Sequence, residues 1–165
     1  DVVAHLRRVT GIKGIGHAGT LDPFATGLLI VGIGSATKKL SDYQKMQKEY
    51  LATIHFGATS NTDDRTGEIT KTQSPLNGPR SEDLKEVLKS FHGQIEQIPP
   101  MYSAKKIAGK KLYELARRGI IVDRKPASVR IDEIEILAAS LPEVARLRVI
   151  CSSGTYIRAL ARDLC

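Results

Sequence analysis

The sequence Gly-His-Ala-Gly-Thr-Leu-Asp-Pro-Phe-Ala-Thr-Gly occupies residues 16–27 and combines several features that are typical of an active-site loop. Its three glycines permit backbone conformations that other residues rarely adopt. Its single acidic residue, Asp22, is followed by Pro23, whose fixed φ restrains the backbone that carries the carboxylate. Asp22 is therefore a candidate nucleophile or general base. The Asp-Pro pair is also typical of the first turn of a helix, and spacing alone favours that helix-capping interpretation.

Three further blocks follow this loop, and the four together resemble the TruB type of tRNA pseudouridine synthase. The blocks are Lys48-Glu49-Tyr50, Pro99-Pro100-Met101-Tyr102-Ser103-Ala104-Lys105-Lys106 and Cys151-Ser152-Ser153-Gly154-Thr155-Tyr156-Ile157-Arg158-Ala159-Leu160. Four blocks in the right order, spread over nearly the whole chain, are far more specific than any single short motif. The Met-Tyr-Ser-Ala sequence at 101–104 fits the bacterial branch better than the archaeal and eukaryotic guide-RNA branch.

The resemblance implies roles for residues at the matching positions. It makes Asp22 the catalytic aspartate, Arg158 the cation that keeps Asp22 ionised, and Tyr50 the tyrosine that stacks on the target base near the proton to be removed. The implied substrate-binding residues are His17, Gly19, Thr20, Leu21, Tyr156, Lys105, Lys106, Lys110, Lys111 and Arg117. It implies neither a cofactor nor a metal, because the conversion of uridine to pseudouridine neither adds nor removes atoms.

The same residues also permit simpler interpretations when they are considered without the resemblance. Arg158 could be a surface arginine that pairs with Asp163 or with a phosphate. Tyr50 could be a core tyrosine at a strand edge, since tyrosine is common in strands. His17, beside glycines, could simply form hydrogen bonds within a loop, and Tyr156 could pack at the start of a helix.

Basic residues are concentrated in one part of the chain. Segment 101–125 contains eight lysines and arginines but only two acidic residues, so it carries +6 of the total net charge of +7. A concentrated basic segment on a nearly neutral body is typical of a protein that binds a phosphate backbone. The alternative is a solvated, lysine-rich helix. By resemblance, residues 97–125 form an insertion that clamps RNA.

Length and composition limit the remaining possibilities. A chain of 165 residues that is 41% hydrophobic can bury one core and is not disordered. No apolar run approaches the roughly 20 residues that a membrane span needs. The two cysteines and four histidines have neither metal-ligand nor disulfide spacing. We therefore expect a cytoplasmic protein without a metal site.

Periodicity and turn residues predict a mixed α+β domain in which helices are interspersed among strands. Helices are predicted over 2–9, from Ser35, and over 81–92, 110–118 and 155–164, and strands over 28–33, 50–57, 68–71, 101–107, 129–137 and 144–151. Residues 94–100 are predicted to be a linker. The acidic pair Asp63 and Asp64 is predicted to lie in a solvated turn. The resemblance adds a largely antiparallel sheet flanked by helices, with a central catalytic cleft.

The family pattern extends beyond both ends of this sequence. The resemblance therefore implies that residues 1–165 are a single catalytic domain, truncated at both ends and lacking the C-terminal RNA-binding domain. It implies a monomer that isomerises uridine 55 in the T-arm stem-loop of tRNA without an obligatory protein partner. Two alternatives remain open: a non-catalytic RNA-binding or tRNA-folding module, and a guide-RNA-dependent pseudouridine synthase.

Overall fold

The computed structural model describes residues 1–72, 80–107 and 109–165. The chain divides into two compact units, Asp1–Gln47 and Lys48–Cys165. Both combine helices with antiparallel strands, which confirms the predicted α+β class. In the described ranges, no helix has the length and apolar character needed to cross a bilayer.

The first unit is built around a short hairpin. Its elements are α1 (Val2–Thr10), β1 (Ile15–His17), β2 (Val31–Ile33), a 3-10 helix (Gly34–Lys39) and α2 (Leu40–Lys45). The carboxylate of Asp1 caps α1 by accepting a hydrogen bond of 2.8 Å from the Val3 amide. The guanidinium of Arg7 donates to the carbonyl of Ile15 at 2.7 Å, so α1 is fixed to the start of β1.

Only half of the strand predicted over residues 28–33 is present. Only Val31–Ile33 forms a strand, and Leu28 is 86% exposed. The ladder stops because β1 ends at His17, which pairs with Val31, and one further hydrogen bond joins the Ala18 amide to the Ile30 carbonyl. An apolar run needs a partner strand along its whole length, and this partner is three residues long. The helix expected from Ser35 begins instead as the 3-10 helix.

The second unit is built on a four-stranded antiparallel sheet in the order β3-β10-β9-β6. These strands are β3 (Lys48–His55), β6 (Gly93–Gln97), β9 (Ala127–Ser140) and β10 (Val144–Cys151), and the helices α3 (Ser81–Ser90) and α5 (Ile157–Leu164) accompany them. The core contains Ala145, Leu147, Val149 and Cys151 of β10, which alternate along the strand and therefore share one face of the sheet. Leucines of both helices pack into the same core.

Two small hairpins and one short helix complete the second unit. They are the hairpin β4 (Ala58–Ser60) with β5 (Ile69–Lys71), the hairpin β7 (Lys106–Ile107) with β8 (Lys110–Lys111), and the short helix α4 (Leu112–Ala116) that follows it. The strand predicted over 101–107 and the helix predicted over 110–118 are therefore shorter than expected. The cause is that Lys106 and Ile107 pair with Lys111 and Lys110, which interrupts both patterns.

The linker predicted over residues 94–100 is also wrong, because Gly93–Gln97 is the edge strand β6. Only one of its residues, Ile95, is a large apolar residue, so the strand shows little periodicity. Its pairing with β9 places Gln97 opposite Ala127. Residues 98–126 therefore leave and re-enter the sheet at neighbouring positions. This topology makes the basic segment an excursion from a pair of adjacent strands.

Candidate active site

The guanidinium of Arg158 is buried at the start of α5, where the residue is only 8% exposed. It donates hydrogen bonds of 2.9 Å to the carbonyl oxygens of Thr62 and Tyr102. Its Nη1 atom lies 3.6 Å from Oδ2 of Asp64. A planar guanidinium that is bonded in several directions has a fixed orientation. The interpretation of Arg158 as a surface arginine is therefore wrong.

The carboxylate of Asp64 is held by its own turn as well as by Arg158. Its side chain is 6% exposed and accepts hydrogen bonds of 2.8 Å from the Thr62 hydroxyl and from the Thr66 amide. Burial alone would raise the pKa of Asp64, but the hydrogen bonds from Thr66 and Thr62 and the charge of Arg158 together lower it. Asp64 therefore presents a stable negative charge to Arg158.

A second arginine of α5 holds the neighbouring acidic residue. The Nη1 atom of Arg162 lies 3.1 Å from Oδ2 of Asp63, and its Nη2 atom donates a 3.1 Å hydrogen bond to the Ile98 carbonyl. Asp63 has a φ of 57°, which is uncommon for a residue other than glycine. Burial raises the pKa of its carboxyl, and the charges of Arg162 and Arg158 only partly offset that effect.

These contacts correct the prediction that Asp63 and Asp64 lie in a solvated turn. Their side chains are 16% and 6% exposed, and both form ion pairs with α5. Within the part of the chain that the structure describes, no group of three or more histidine, cysteine or acidic side chains could hold a metal ion. Asp64 and Asp63 instead form ion pairs with Arg158 and Arg162.

The start of α5 is fixed by a glutamine of the edge strand β6. The side-chain amide of Gln97 accepts a 3.0 Å hydrogen bond from the Tyr156 amide and donates one of 3.3 Å to the Tyr156 carbonyl. Gln97 is 1% exposed, so both bonds form away from water. Tyr156, a predicted substrate-binding residue, is half-buried at the N-cap of α5. Its position, and that of Arg158 two residues later, thus depends on β6.

The loop that carries Asp22 lies between β1 and β2 of the first unit. The Ala25 amide donates a 2.9 Å hydrogen bond to the Asp22 carbonyl, which closes a β-turn with Pro23 at its second position. No helix begins here, so helix capping does not explain Asp22. Asp22 is half-buried. Its pairing with Arg158 stays a prediction.

Two glycines of this loop have a structural reason to be glycine. Gly27 has a φ of 149°, a conformation that other residues rarely adopt. A Cβ atom on Gly16 would lie 3.1 Å from the Cδ1 atom of Leu40. The predicted substrate contacts His17, Gly19, Thr20 and Leu21 are all exposed. This stretch of the loop is therefore accessible to a substrate.

Tyr50 lies on β3 and is 36% exposed, so it is not the core tyrosine of the simpler interpretation. The adjacent residue, Glu49, receives two hydrogen bonds from Arg148 of β10, at 3.0 and 3.2 Å. The same guanidinium donates to Glu133 of β9 at 2.9 Å, so it links three neighbouring strands. The hydrogen bond from Arg148 lowers the pKa of the Glu49 carboxyl. This cluster fixes the register of β3 beside Tyr50.

The basic excursion places its cations in two different environments. Lys106 and Lys110 of the β7–β8 hairpin and Arg117 after α4 are exposed, whereas Lys105 and Lys111 are half-buried. The Lys111 ammonium bonds the Tyr113 hydroxyl at 3.3 Å, and the Arg117 guanidinium lies 5.4 Å from the Tyr113 ring centroid. The structure thus replaces the alternative of one solvated lysine-rich helix with a hairpin and a five-residue helix.

Sequence reasoning missed several residues that hold Arg158. Thr62 and Tyr102 act through their carbonyl oxygens, which no side-chain pattern reveals. Asp64 was visible as half of an acidic pair, and the signal for its role was the presence of arginines four residues apart at 158 and 162. Residues so spaced share one face of a helix, so two acidic partners were a reasonable expectation.

Comparisons with known proteins identify the family of this chain. A family model described as "TruB family pseudouridylate synthase (N terminal domain)" matches residues 7–157. A protein of Phocaeicola vulgatus named tRNA pseudouridine synthase B is 50% identical over 162 residues, which are 97% of this chain and 68% of that protein. One of the same name from Bacteroides fragilis is 51% identical over 170 residues, covering 99% of this chain and 72% of that protein.

A solved structure of a Cbf5-Nop10-Gar1 complex contains a chain with the same fold. It superimposes with a TM-score of 0.70 at 26% identity and covers 99% of this chain. This chain spans 38% of that solved chain and about two thirds of the curated relatives named above. The match to residues 7–157 and the identity of about half over nearly the whole sequence lead to one conclusion. The chain belongs to the TruB family of pseudouridylate synthases and carries the N-terminal domain of that family.

Proposed function

We propose that this chain converts uridine 55 in the T-loop of tRNA to pseudouridine, with Asp22 as the catalytic carboxylate. The observation that carries the proposal is the identity of about 50% to relatives named tRNA pseudouridine synthase B, across 97–99% of this chain. The net charge of +7 supports a polyanionic substrate. We further propose that the protein acts in the cytoplasm as a monomer, without a cofactor or an obligatory protein partner.

The reaction exchanges one bond of the ribose for another. The bond from the ribose C1′ to the base N1 breaks, the base turns, and a bond from C1′ to the base C5 forms. The proton on C5 leaves, and N1 gains a proton. The protein must supply an ionised carboxylate near C1′, a group that removes the C5 proton, and a site that excludes water. We assign the first role to Asp22 and the second to Tyr50 or a group that it positions.

Arg158 is suited to orient and charge-stabilise a carboxylate. Its guanidinium remains ionised at any relevant pH, and the carbonyls of Thr62 and Tyr102 fix its plane. The hydrogen bonds to these two carbonyls and the nearby charge of Asp64 hold the Arg158 guanidinium in one orientation. In the proposed mechanism Arg158 keeps Asp22 ionised.

The target uridine must leave the T-loop stack before the carboxylate can reach it, which costs a few kcal/mol. The exposed residues around the Asp22 loop are candidates to occupy the vacated space and hold the flipped nucleotide: His17, Gly19, Thr20 and Leu21. Aromatic rings commonly hold unpaired bases, which supports base-stacking roles for Tyr50 and Tyr156. The basic excursion then clamps the T-arm through its phosphates.

The test is a pseudouridine map of unmodified tRNA after incubation with the protein. We expect the parent to modify position 55, and Asp22→Asn to bind the tRNA without modifying it. Asp42→Asn, the same chemical change at an exposed position of α2, should modify tRNA as the parent does. Normal turnover by Asp22→Asn would remove Asp22 from the mechanism.

The same assay separates the alternatives. Binding by the parent without any modification would support a non-catalytic RNA-binding module. Modification only after guide RNA and partner proteins are added would support a guide-dependent enzyme, as the likeness to the Cbf5 complex allows. The higher identity to the tRNA pseudouridine synthase B relatives, 50% against 26%, favours the stand-alone enzyme.

A further inference from the structure

We propose that Asp63 and Arg162 are a positioning pair that fixes the turn at residues 61–66 against α5, and thereby orients Arg158. The inference rests on the proposed function, because it assigns these two residues to the turnover of the same site. Their effect passes through the acceptors that hold the Arg158 guanidinium.

The geometry of α5 carries the first step. Arg158 and Arg162 are four residues apart, so their side chains leave the helix on one face. Each reaches the same two segments of the chain. Arg158 bonds the turn through the Thr62 carbonyl and Asp64, and Arg162 bonds it through Asp63. On the segment that follows β6, Arg158 bonds the Tyr102 carbonyl and Arg162 the Ile98 carbonyl.

The backbone of the turn carries the second step. Asp63 holds a φ of 57°, which costs free energy for any residue with a side chain. It lies directly between Thr62 and Asp64, the two residues of the turn that contact Arg158. An anchor at Asp63 therefore determines where both acceptors point. The 3.1 Å ion pair with Arg162 is that anchor, and the Asp63 side chain is only 16% exposed.

Arg162 has a second carboxylate partner, Asp163, which cannot position the turn because it lies on the same helix as Arg162. Its Nε atom lies 2.8 Å from Oδ1 of Asp163, the next residue of the same helix. The Asp163 side chain is 35% exposed, and Asp163 lies on α5 itself rather than on the turn. Asp163→Asn thus removes an ion pair of 2.8 Å, against 3.1 Å for the pair with Asp63, from the same guanidinium without releasing the turn.

The experiment compares Asp63→Asn, Arg162→Gln and the matched control Asp163→Asn in the whole chain. Asparagine tolerates a positive φ, so Asp63→Asn removes the charge with little backbone strain. We expect Asp63→Asn and Arg162→Gln each to lower kcat for tRNA about tenfold with an unchanged KM, since positioning affects the reaction more than binding. The double variant should be no slower than either single one, because both break one pair. Asp163→Asn should keep the kcat of the parent.

Hydrogen exchange supplies a readout that does not depend on turnover. The Thr66 amide donates to the Asp64 carboxylate at 2.8 Å, so its exchange rate reports whether the turn is held. It should exchange faster in Asp63→Asn and Arg162→Gln than in the parent, and at the parent rate in Asp163→Asn. Unchanged Thr66 exchange in the first two variants would overturn the positioning pair, even if the parent forms no pseudouridine. Faster exchange with unchanged kcat in an active parent would also overturn it while leaving the proposed function intact.

Discussion

At the scale of single residues, we expect Asp64 to contribute both to the stability of the fold and to the activity of the candidate site. Its buried carboxylate accepts hydrogen bonds from Thr62 and Thr66 and faces Arg158. Asp64→Asn should lower the free energy of unfolding by about 1–3 kcal/mol at pH 7, because Thr62, Thr66 and Arg158 lose a charged acceptor. It should also lower turnover, since Arg158 loses its neighbouring charge. Urea denaturation and a single-turnover tRNA assay measure the two effects.

The stability effect of Asp64 should depend on pH in a defined direction. Hydrogen bonds and Arg158 together lower the pKa of Asp64 in the folded chain. Its contribution is therefore fully present above the unfolded pKa of about 3.9 and is lost as the pH falls through the lower folded value. The gap between parent and Asp64→Asn should shrink below about pH 4. A gap that stays constant into strong acid would contradict this assignment.

Asp63 should show the opposite sign. Burial raises the pKa of its carboxyl in spite of Arg162 and Arg158, so the ionised form is less favourable in the folded chain than in the unfolded one. The stability of the parent should then fall as the pH rises from the unfolded pKa through the raised folded pKa. Asp63→Asn should lack that fall, because asparagine does not titrate. Urea titrations at a series of pH values measure this, and the same fall in the parent and in Asp63→Asn would contradict it.

At the scale of elements, the β7–β8 hairpin should supply a large part of the salt dependence of tRNA binding. Lys106 and Lys110 are exposed there, whereas the ammonium of Lys111 bonds Tyr113. Lys106→Ala/Lys110→Ala should make the slope of log affinity against log salt shallower by about two. The control Lys85→Ala/Lys89→Ala, on α3, makes the same change of charge and should leave the slope near that of the parent. Equal slopes in the hairpin variant and the parent would contradict the assignment, as would an unchanged slope when Lys105 and Lys111 are also replaced.

The elements also show what local pattern can predict. The helices α1, α3 and α5 and the long strands β9 and β10 were predicted near their true bounds, because each buries a periodic apolar face. Elements that depend on a partner were missed. The strand β6 is defined by its pairing with β9, and the run at 28–33 lost half its length to a short partner. Periodicity cannot detect pairing that is made mostly by the backbone.

At the scale of the whole molecule, the sheet of the second unit should dominate its stability. Leu147 lies in the middle of β10 and is 0% exposed. Leu147→Ala should lower the free energy of unfolding by about 2–5 kcal/mol, because it removes buried surface and leaves a cavity. Leu137→Ala, on β9 at 43% exposure, makes the same change and should cost far less. Equal losses in the two variants, measured by urea denaturation, would show that the core lies elsewhere.

The sequence could predict only those parts of the candidate site that do not depend on how the whole chain folds. The family and the enzyme class followed from four blocks that resemble the TruB pattern in the right order, and the comparisons confirm them. The environment of Arg158 did not follow, since residues 62, 64 and 102 meet only when the chain is folded. The roles of Asp22, Tyr50 and the substrate-binding residues remain predictions with the tests given above.

The amide of Gln97 has one further consequence. Its nitrogen faces the Tyr156 carbonyl, and its oxygen faces the Tyr156 N–H. Deamidation to glutamate would exchange that single nitrogen for oxygen and set two acceptors against each other in a dry environment. Slow chemical ageing at one side chain of the edge strand would thus loosen the start of the helix that presents Arg158.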